Sequence, residues 1–197
     1  MDIIKLKNPI TEHDHAAGPA AAPVTLLEYG NFECVHCGQF FPVIKEVRKL
    51  LGNELRFVFR NFPTVKTHLH ALQAATAAEA AGRQEKFWEM HDQLFTHQNA
   101  MDDRHLSSFA RRIGLDLERF ERDMLDEALR QEIQADYERS LFDEHITGTP
   151  TIYLNENRYS GATDLESLLV AIRAADVEGR IKWPKKDNRL RNLWDRL

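Results

Sequence analysis

Residues 24–37 read VTLLEYGNFECVHC, an apolar run that ends at a glycine and is followed by two cysteines. The run is short and bounded by proline and glycine, which predicts a β-strand. From about Val35, apolar residues recur at helical spacing as far as Gly52, and glycine commonly ends a helix. We therefore expect Cys34 and Cys37 to lie where a strand passes into a helix.

The spacing of the two cysteines predicts a redox pair. Residues three apart are neighbours on a helix, close enough for a disulfide. Cys34 would lie at the helix N-terminus, where unpaired N–H groups carry a partial positive charge that favours a thiolate. Thiols in such settings have pKa values of ~3.5–7.5 instead of about 8.5. We expect Cys34 to be the nucleophile, Cys37 the resolving thiol and His36 a donor or cation beside the sulfur that tunes its pKa.

Two other interpretations of the pair stay open. Cys34 and Cys37 could belong to a metal site, although a closed zinc site needs four ligands and the sequence offers no second Cys-x-x-Cys. A purely structural disulfide would close so short a loop that it would constrain the unfolded chain little.

The rest of the chain follows the order β-α-β, helices, β-β-α. A second strand is predicted over 55–62, and a strand, helix, strand sequence implies a parallel, right-handed unit. Residues 65–145 contain only helical patterns. Strand patterns return at 151–154 and 158–160, and a helix is predicted over 164–175.

Composition limits the classes of protein. The chain has 197 residues, 43% of them hydrophobic, and a formal net charge of −5. This length predicts one domain with an insertion, and the composition excludes a disordered chain. The negative charge argues against nucleic acid as a partner, because phosphate binding needs a basic surface. No run approaches the ~20 apolar residues that cross a bilayer, and no export signal precedes the first strand. We therefore expect a cytoplasmic protein, or an exported one whose signal peptide has been removed.

Two motifs together carry a resemblance to a known family. The segment FECVHC (32–37) after the first strand, with GTPT (148–151) before a late strand, resembles the DsbA-like branch of the thioredoxin superfamily over residues 23–177. The resemblance implies an α/β, thioredoxin-like fold with a helical insertion domain, and thiol-disulfide exchange on protein or peptide substrates. The dipeptide between the cysteines is Val-His where the best-known periplasmic oxidase of the family has Pro-His, which leaves the redox strength open.

The resemblance also implies roles for residues outside the cysteine pair. Pro150 would be a cis proline against the active-site sulfurs, and Thr149 would pair through its backbone with an extended substrate. Glu28 matches an acid that helps to move the proton of the second cysteine, and it would act as general base or acid for Cys37. Phe32 is expected on the substrate surface.

The predicted organisation has five parts. They are a leader (1–22), a thioredoxin-like β-α-β half (23–64), a helical insertion (65–145), a thioredoxin-like β-β-α half (146–177) and a C-terminal tail (178–197). The tail is basic, and its apolar residues after Pro184 predict a short amphipathic helix. We expect this helix to dock on its own domain or on a second copy of the chain in a homodimer.

The sequence therefore predicts a protein disulfide oxidoreductase, with the oxidase, isomerase and reductase directions all open. The sequence has no glycine-rich phosphate loop, so no cofactor is expected, and electrons would come from a redox partner protein or glutathione. Two alternatives remain: a metal-binding module that uses Cys34 and Cys37, and a peptide-binding, chaperone-like protein.

Overall fold

The computed structural model describes residues 4–183, and within them the chain forms one five-stranded sheet and seven α-helices. The sheet has the order β1-β3-β2-β4-β5. The elements are β1 His15–Ala17, β2 Val24–Gly30, α1 Val35–Leu51, β3 Leu55–Asn61, α2 Ala71–Gly82, α3 Phe87–Thr96, α4 Asp103–Arg112, α5 Leu117–Met124, α6 Glu127–Phe142, β4 Thr151–Leu154, β5 Asn157–Tyr159 and α7 Leu165–Ala175.

Strand β2 lies in the middle of the sheet, between β3 and β4. Its apolar side chains are buried on both faces, which is why the strand reads as a continuous apolar run instead of an alternating one. The carboxylate of Glu28 is part of this strand and is only 2% exposed. Burying this carboxylate in the strand costs more free energy than burying an apolar side chain would.

The sequence analysis missed strand β1, which lies inside the predicted leader. It pairs antiparallel with β3, with His15 opposite Phe59 and Ala17 opposite Phe57. Three residues with mostly small side chains give no alternating pattern, so periodicity could not identify the strand. Part of the predicted leader therefore belongs to the sheet.

An ion pair holds the segment before β1 against β3. The guanidinium of Arg60 donates to both carboxylate oxygens of Asp14, at 2.6 and 2.9 Å, and also to the carbonyls of Asn8 and Pro9. Burial raises the pKa of Asp14, but the hydrogen bonds from Arg60 and Thr11, together with the charges of Arg60 and His15, leave this pKa below its ordinary value. A bidentate pair of this kind is a strong, charge-assisted contact.

The turn between β4 and β5 is a second anchor. Asn155 and Glu156 both have positive φ, 45° and 66°, as a two-residue hairpin turn requires. The Asn155 side chain accepts from the N–H of Thr25 at 2.8 Å and donates to the carbonyl of Ala175 at 3.0 Å. One turn residue thereby ties together β2, the hairpin and the end of α7.

The chain divides into two compact units. Among the described residues, one consists of residues 4–28, 39–60 and 151–183, and the other of residues 29–38 and 61–150. In the second unit α2 contacts α3, α5 and α6 through a face made almost entirely of buried alanines. Small side chains let the neighbouring helices approach α2 closely. Each of α4, α5 and α6 begins at an aspartate whose side chain accepts backbone N–H groups, and these N-caps are Asp102, Asp116 and Asp126.

Two further observations concern the C-terminal tail and membrane-spanning helices. The helix predicted after Pro184, and docking through it, lie outside the described residues. Among residues 4–183, no helix has the length and apolar character needed to cross a membrane.

The Asp14–Arg60 pair generates a prediction for stability. Replacing Asp14 with Asn removes the charge from a buried pair, and we expect the free energy of unfolding to fall by about 1.5–3 kcal/mol near neutral pH. Because the folded-state pKa of Asp14 is lowered, its contribution is present above the ordinary carboxyl pKa and is lost as the pH falls through the folded value. Urea unfolding at several pH values measures both effects. An equal difference between the two proteins at every pH would contradict the assignment.

Candidate active site

Asn31 shapes the turn that connects β2 to α1. Its side-chain oxygen accepts the N–H of Glu33 at 3.0 Å, and its carbonyl accepts the N–H of Cys34 at 3.0 Å. Its side-chain nitrogen donates to the hydroxyl of Thr64 at 2.8 Å. An asparagine that bonds the backbone two residues ahead imitates a backbone turn. This turn leaves Cys34 immediately before Val35, the first residue of α1, as the sequence predicted.

No disulfide joins the two cysteines. Cys34 is 6% exposed and Cys37 is fully buried. The Cys34 thiol donates to the carbonyl of Thr149 at 3.3 Å, and the peptide bond from Thr149 to Pro150 is cis. The structure thus brings the cysteine turn and the Thr149-Pro150 segment together from distant parts of the sequence.

The surroundings of Cys34 lower the pKa of its thiol to about 4. The hydrogen bond with the Cys37 side chain contributes most, while burial acts in the opposite direction. The Thr149 side chain and the backbone N–H groups of Cys37 and His36 lower the pKa further. These N–H groups belong to the first turn of α1, where they have no partner within the helix. With this pKa the sulfur is a thiolate above about pH 4, and the 3.3 Å contact with the Thr149 carbonyl is a hydrogen bond only when the thiol is protonated.

The side chain of His36 is exposed, and so is that of Val35, at 64%. What His36 contributes to the thiolate in this structure is its backbone N–H. The side chains of Val35 and His36 thus face solvent, while the backbone N–H of His36 faces the Cys34 sulfur.

A carboxylate lies next to the nucleophile in the chain and is held by the start of α2. Glu33 accepts the backbone N–H of His70 at 2.7 Å and lies 3.0 Å from the Nδ1 of its ring. His70 is the residue before the first turn of α2, so Glu33 supplies an anion to that helix N-terminus. Sequence reasoning did not pair these residues, because they are far apart in the chain and no spacing pattern links them.

Gln98, in the turn after α3, was also missed. Its side-chain nitrogen donates to the carbonyl of Phe32 at 2.8 Å and to the carbonyl of Cys34 at 2.9 Å. No sequence pattern points to such a residue, because its partners are backbone atoms, which any residue type provides.

The expected place of Phe32 on the substrate surface is not what the structure shows. Its side chain is 1% exposed and contacts the ring of Phe95, with centroids 4.9 Å apart, and the ring of His91, at 5.8 Å. Both partners lie on α3, which supplies an apolar pocket for the ring. Phe32 therefore belongs to the interior of its unit, and only its backbone takes part in the site.

The described residues do not assemble a metal site. Within 4–183, no group of three or more His, Cys, Asp or Glu side chains could hold an ion. Cys34 and Cys37 thus have no additional ligands of these types in the part of the chain that the structure covers.

The chain is similar to part of longer curated proteins. It is 39% identical over 186 residues to a Na(+)/H(+) antiporter NhaA 1 of Salinispora arenicola, and 38% identical over 175 residues to an NhaA 1 of Mycolicibacterium gilvum. These matches cover 94% and 87% of this chain but only 28% of each relative. The chain therefore spans little more than a quarter of the length of the relatives that it matches.

Solved structures give a second comparison. BdbD from Bacillus subtilis has a TM-score of 0.76 at 21% identity, over 89% of this chain and 99% of BdbD. The α-DsbA1 protein of Wolbachia pipientis has a TM-score of 0.75 at 19% identity, over 86% of this chain and 94% of its own. At such identities these likenesses establish the fold. The predicted thioredoxin-like fold of the DsbA type is confirmed.

The family assignment comes from the sequence match. The family model described as Thioredoxin matches residues 10–174, which is most of the chain and includes the cysteine turn and the Thr149-Pro150 segment. This match means that the chain belongs to the thioredoxin family, and its fold is similar to that of the DsbA-type structures.

Proposed function

We propose that this protein is a thiol-disulfide oxidoreductase that exchanges disulfides with protein or peptide substrates through Cys34-Val35-His36-Cys37. The observation that carries the proposal is the low pKa of Cys34, about 4, beside a second buried thiol three residues away. A thiolate is the reactive form of cysteine in disulfide exchange. A structural pair of cysteines has no need for such an environment.

The exchange takes place in two displacements. In the oxidised enzyme, a substrate thiolate attacks the Cys34 sulfur, the bond to Cys37 breaks, and Cys37 leaves with the electron pair and gains a proton. A second substrate thiolate then attacks the substrate sulfur of the mixed disulfide and expels Cys34 as a thiolate. The substrate loses two electrons and gains a disulfide, and the enzyme is left as a dithiol.

The direction that we propose is oxidation or isomerisation of substrates. A thiolate that is stable in the folded protein is a good leaving group, so the mixed disulfide at Cys34 is readily resolved in favour of the substrate disulfide. The same stabilisation favours the dithiol enzyme over its disulfide. Glutathione disulfide or a redox partner protein would then restore the Cys34–Cys37 bond, in a cytoplasmic or an exported location.

Two other parts of the site would support these steps. Thr149 and Pro150 would form the substrate side, where the Thr149 backbone, already 3.3 Å from the Cys34 sulfur through its carbonyl, meets an extended peptide. Glu28 would accept or return the proton of Cys37. Its burial at 2% exposure supports this role, because a buried carboxylate has a raised affinity for a proton.

Replacing the cysteines one at a time tests the proposal. With a peptide that carries a disulfide, the reduced Cys37→Ser protein should accumulate a mixed disulfide at Cys34, because no second thiol can resolve it. Cys34→Ser should form no mixed disulfide, because Cys37 is fully buried. Non-reducing electrophoresis and mass spectrometry of the trapped species measure both outcomes.

The wild-type protein and its metal content serve as controls. After treatment with glutathione disulfide, the wild type should form a Cys34–Cys37 disulfide, and it should then oxidise a peptide dithiol and return to its dithiol form. If it forms no disulfide and instead carries about one equivalent of tightly bound zinc after reduction, the metal-binding alternative replaces the redox proposal. A double Cys→Ser protein that keeps its peptide partners would favour the chaperone-like alternative.

The pH dependence of alkylation is a second prediction. The rate at which iodoacetamide modifies Cys34 should be nearly constant from pH 8 down to about 5 and should fall through a midpoint of about 4, since only the thiolate reacts. The Cys37→Ser protein, which has lost the side-chain partner that lowers the pKa most, should show a higher midpoint. A wild-type midpoint near the ~8.5 of a free cysteine would contradict the account.

The charge of Glu33 generates a third prediction. Its negative charge opposes a thiolate at the next residue, so Glu33→Gln should shift the equilibrium with glutathione severalfold toward the dithiol protein. Glu132→Gln makes the same charge change at an exposed position of α6 and should leave the equilibrium unchanged. Equal effects of both variants, or a shift toward the disulfide, would show that Glu33 does not act on Cys34.

A further inference from the structure

We propose that Gln98 is a positioning residue that holds the backbone of the cysteine turn in its reactive conformation. The inference rests on the proposed function, because only a reactive Cys34 needs such a geometry. The hydrogen bonds of Gln98 go to backbone atoms and not to the sulfur of Cys34 or Cys37. It acts through the two carbonyls that lie on either side of Glu33, those of Phe32 and Cys34.

The hydrogen bonds of Gln98 match its amide group in number and kind. The side-chain NH₂ has two hydrogens, and it donates to the Phe32 carbonyl at 2.8 Å and the Cys34 carbonyl at 2.9 Å. The Cys34 carbonyl also accepts the N–H of Gly38 at 3.0 Å, the first backbone bond of α1. A carbonyl oxygen accepts two hydrogen bonds, so both sites of this one are used. The peptide planes that join Phe32 to Glu33 and Cys34 to Val35 are fixed together.

Gln98 is itself held in place. It follows α3 in a turn in which His97 donates its N–H to the carbonyl of Gln93 at 3.1 Å and Ala100 donates to the carbonyl of His97 at 2.9 Å. The ring of His97 lies on that of Phe109, with centroids 5.0 Å apart. The amide therefore comes from an anchored turn, so little conformational entropy is lost when it binds the two carbonyls.

A glycine in α1 makes room for this side chain. A Cβ at position 38 would lie 2.6 Å from the Cδ of Gln98 and 2.9 Å from its Nε2, and would be closest to its Oε1. Real Cβ atoms do not approach other atoms so closely. Glycine inside a helix costs roughly 0.5–1 kcal/mol relative to alanine, so Gly38 needs a local reason. The position of Gln98 supplies one.

The chemistry explains why a neutral donor suits this place. During exchange, Cys34 passes through a thiolate, a mixed disulfide with substrate and a disulfide with Cys37. The backbone N–H groups of His36 and Cys37 help to stabilise the thiolate. An amide that fixes the neighbouring carbonyls keeps those N–H groups in position and adds no charge. A carboxylate of the same shape would repel both carbonyls and the thiolate.

Two variants and one matched control test this role. At pH 7, Gln98→Glu should shift the glutathione equilibrium by about tenfold toward the protein disulfide, since the reduced thiolate loses support and gains a negative neighbour. Gln98→Ala should shift it severalfold in the same direction and raise the alkylation midpoint of Cys34. Asn99→Asp adds the same charge at the exposed next residue and should change the equilibrium by less than about twofold.

The wild-type measurement separates the two proposals. A wild type that forms no disulfide overturns the proposed function itself. A wild type that forms one, with Gln98→Glu and Asn99→Asp giving equal shifts, overturns only the role of Gln98, because charge alone would then account for the effect. An unchanged alkylation midpoint in Gln98→Ala also overturns it.

Gly38 offers a test that depends on contact alone. Gly38→Ala should displace Gln98 and reproduce the shift seen in Gln98→Ala, with a lower unfolding midpoint in urea. In the Gln98→Ala protein the space is empty, so adding Gly38→Ala should cause little further change in the equilibrium and should raise the unfolding midpoint, because alanine favours the helix. Residues in contact show such non-additive effects. Additive effects of the two substitutions would overturn the contact and the inference with it.

Discussion

The backbone N–H groups in the first turn of α1 are the constraint on which the rest of the structure depends. They stabilise a thiolate only if the sulfur lies at the helix N-terminus, so the chain has to leave β2 and begin the helix within a few residues. Asn31 makes this possible, because its side chain and its carbonyl accept the N–H groups of Glu33 and Cys34. The low pKa of Cys34 comes first from the side chain of Cys37 and then from Thr149 and these N–H groups, all of which meet the sulfur at this turn.

The helical unit supplies the contacts that hold the cysteine turn in place. Residues 29–38 belong to the same compact unit as residues 61–150, and that unit supplies the partners of the cysteine turn. Thr64 bonds Asn31, His70 bonds Glu33, and the turn after α3 bonds the carbonyls on either side of Glu33. The partners of the turn are thus fixed by helices, and the buried alanines of α2 allow those helices to approach one another closely.

The sequence predicted the features of the structure that depend on residues close together in the chain. The strand, the helix and the place of Cys34 between them follow from short-range spacing, and most elements appear where periodicity put them. Contacts between distant segments were not predictable in this way. Gln98 binds backbone carbonyls, which have no sequence signature. Phe32 was predicted on the substrate surface because nothing in the sequence shows that α3 buries its ring. The three-residue β1 is too short and too small in its side chains to give a pattern.

The measurement that tests the central claim most directly is the equilibrium of the wild-type protein with glutathione over a range of ratios of reduced to oxidised glutathione. A thiolate with a pKa of about 4 stabilises the dithiol form, so the account predicts an oxidising midpoint, more positive than roughly −200 mV. A midpoint near about −270 mV, the value typical of a reductant, would contradict it. So would a protein that forms no intramolecular disulfide at any ratio.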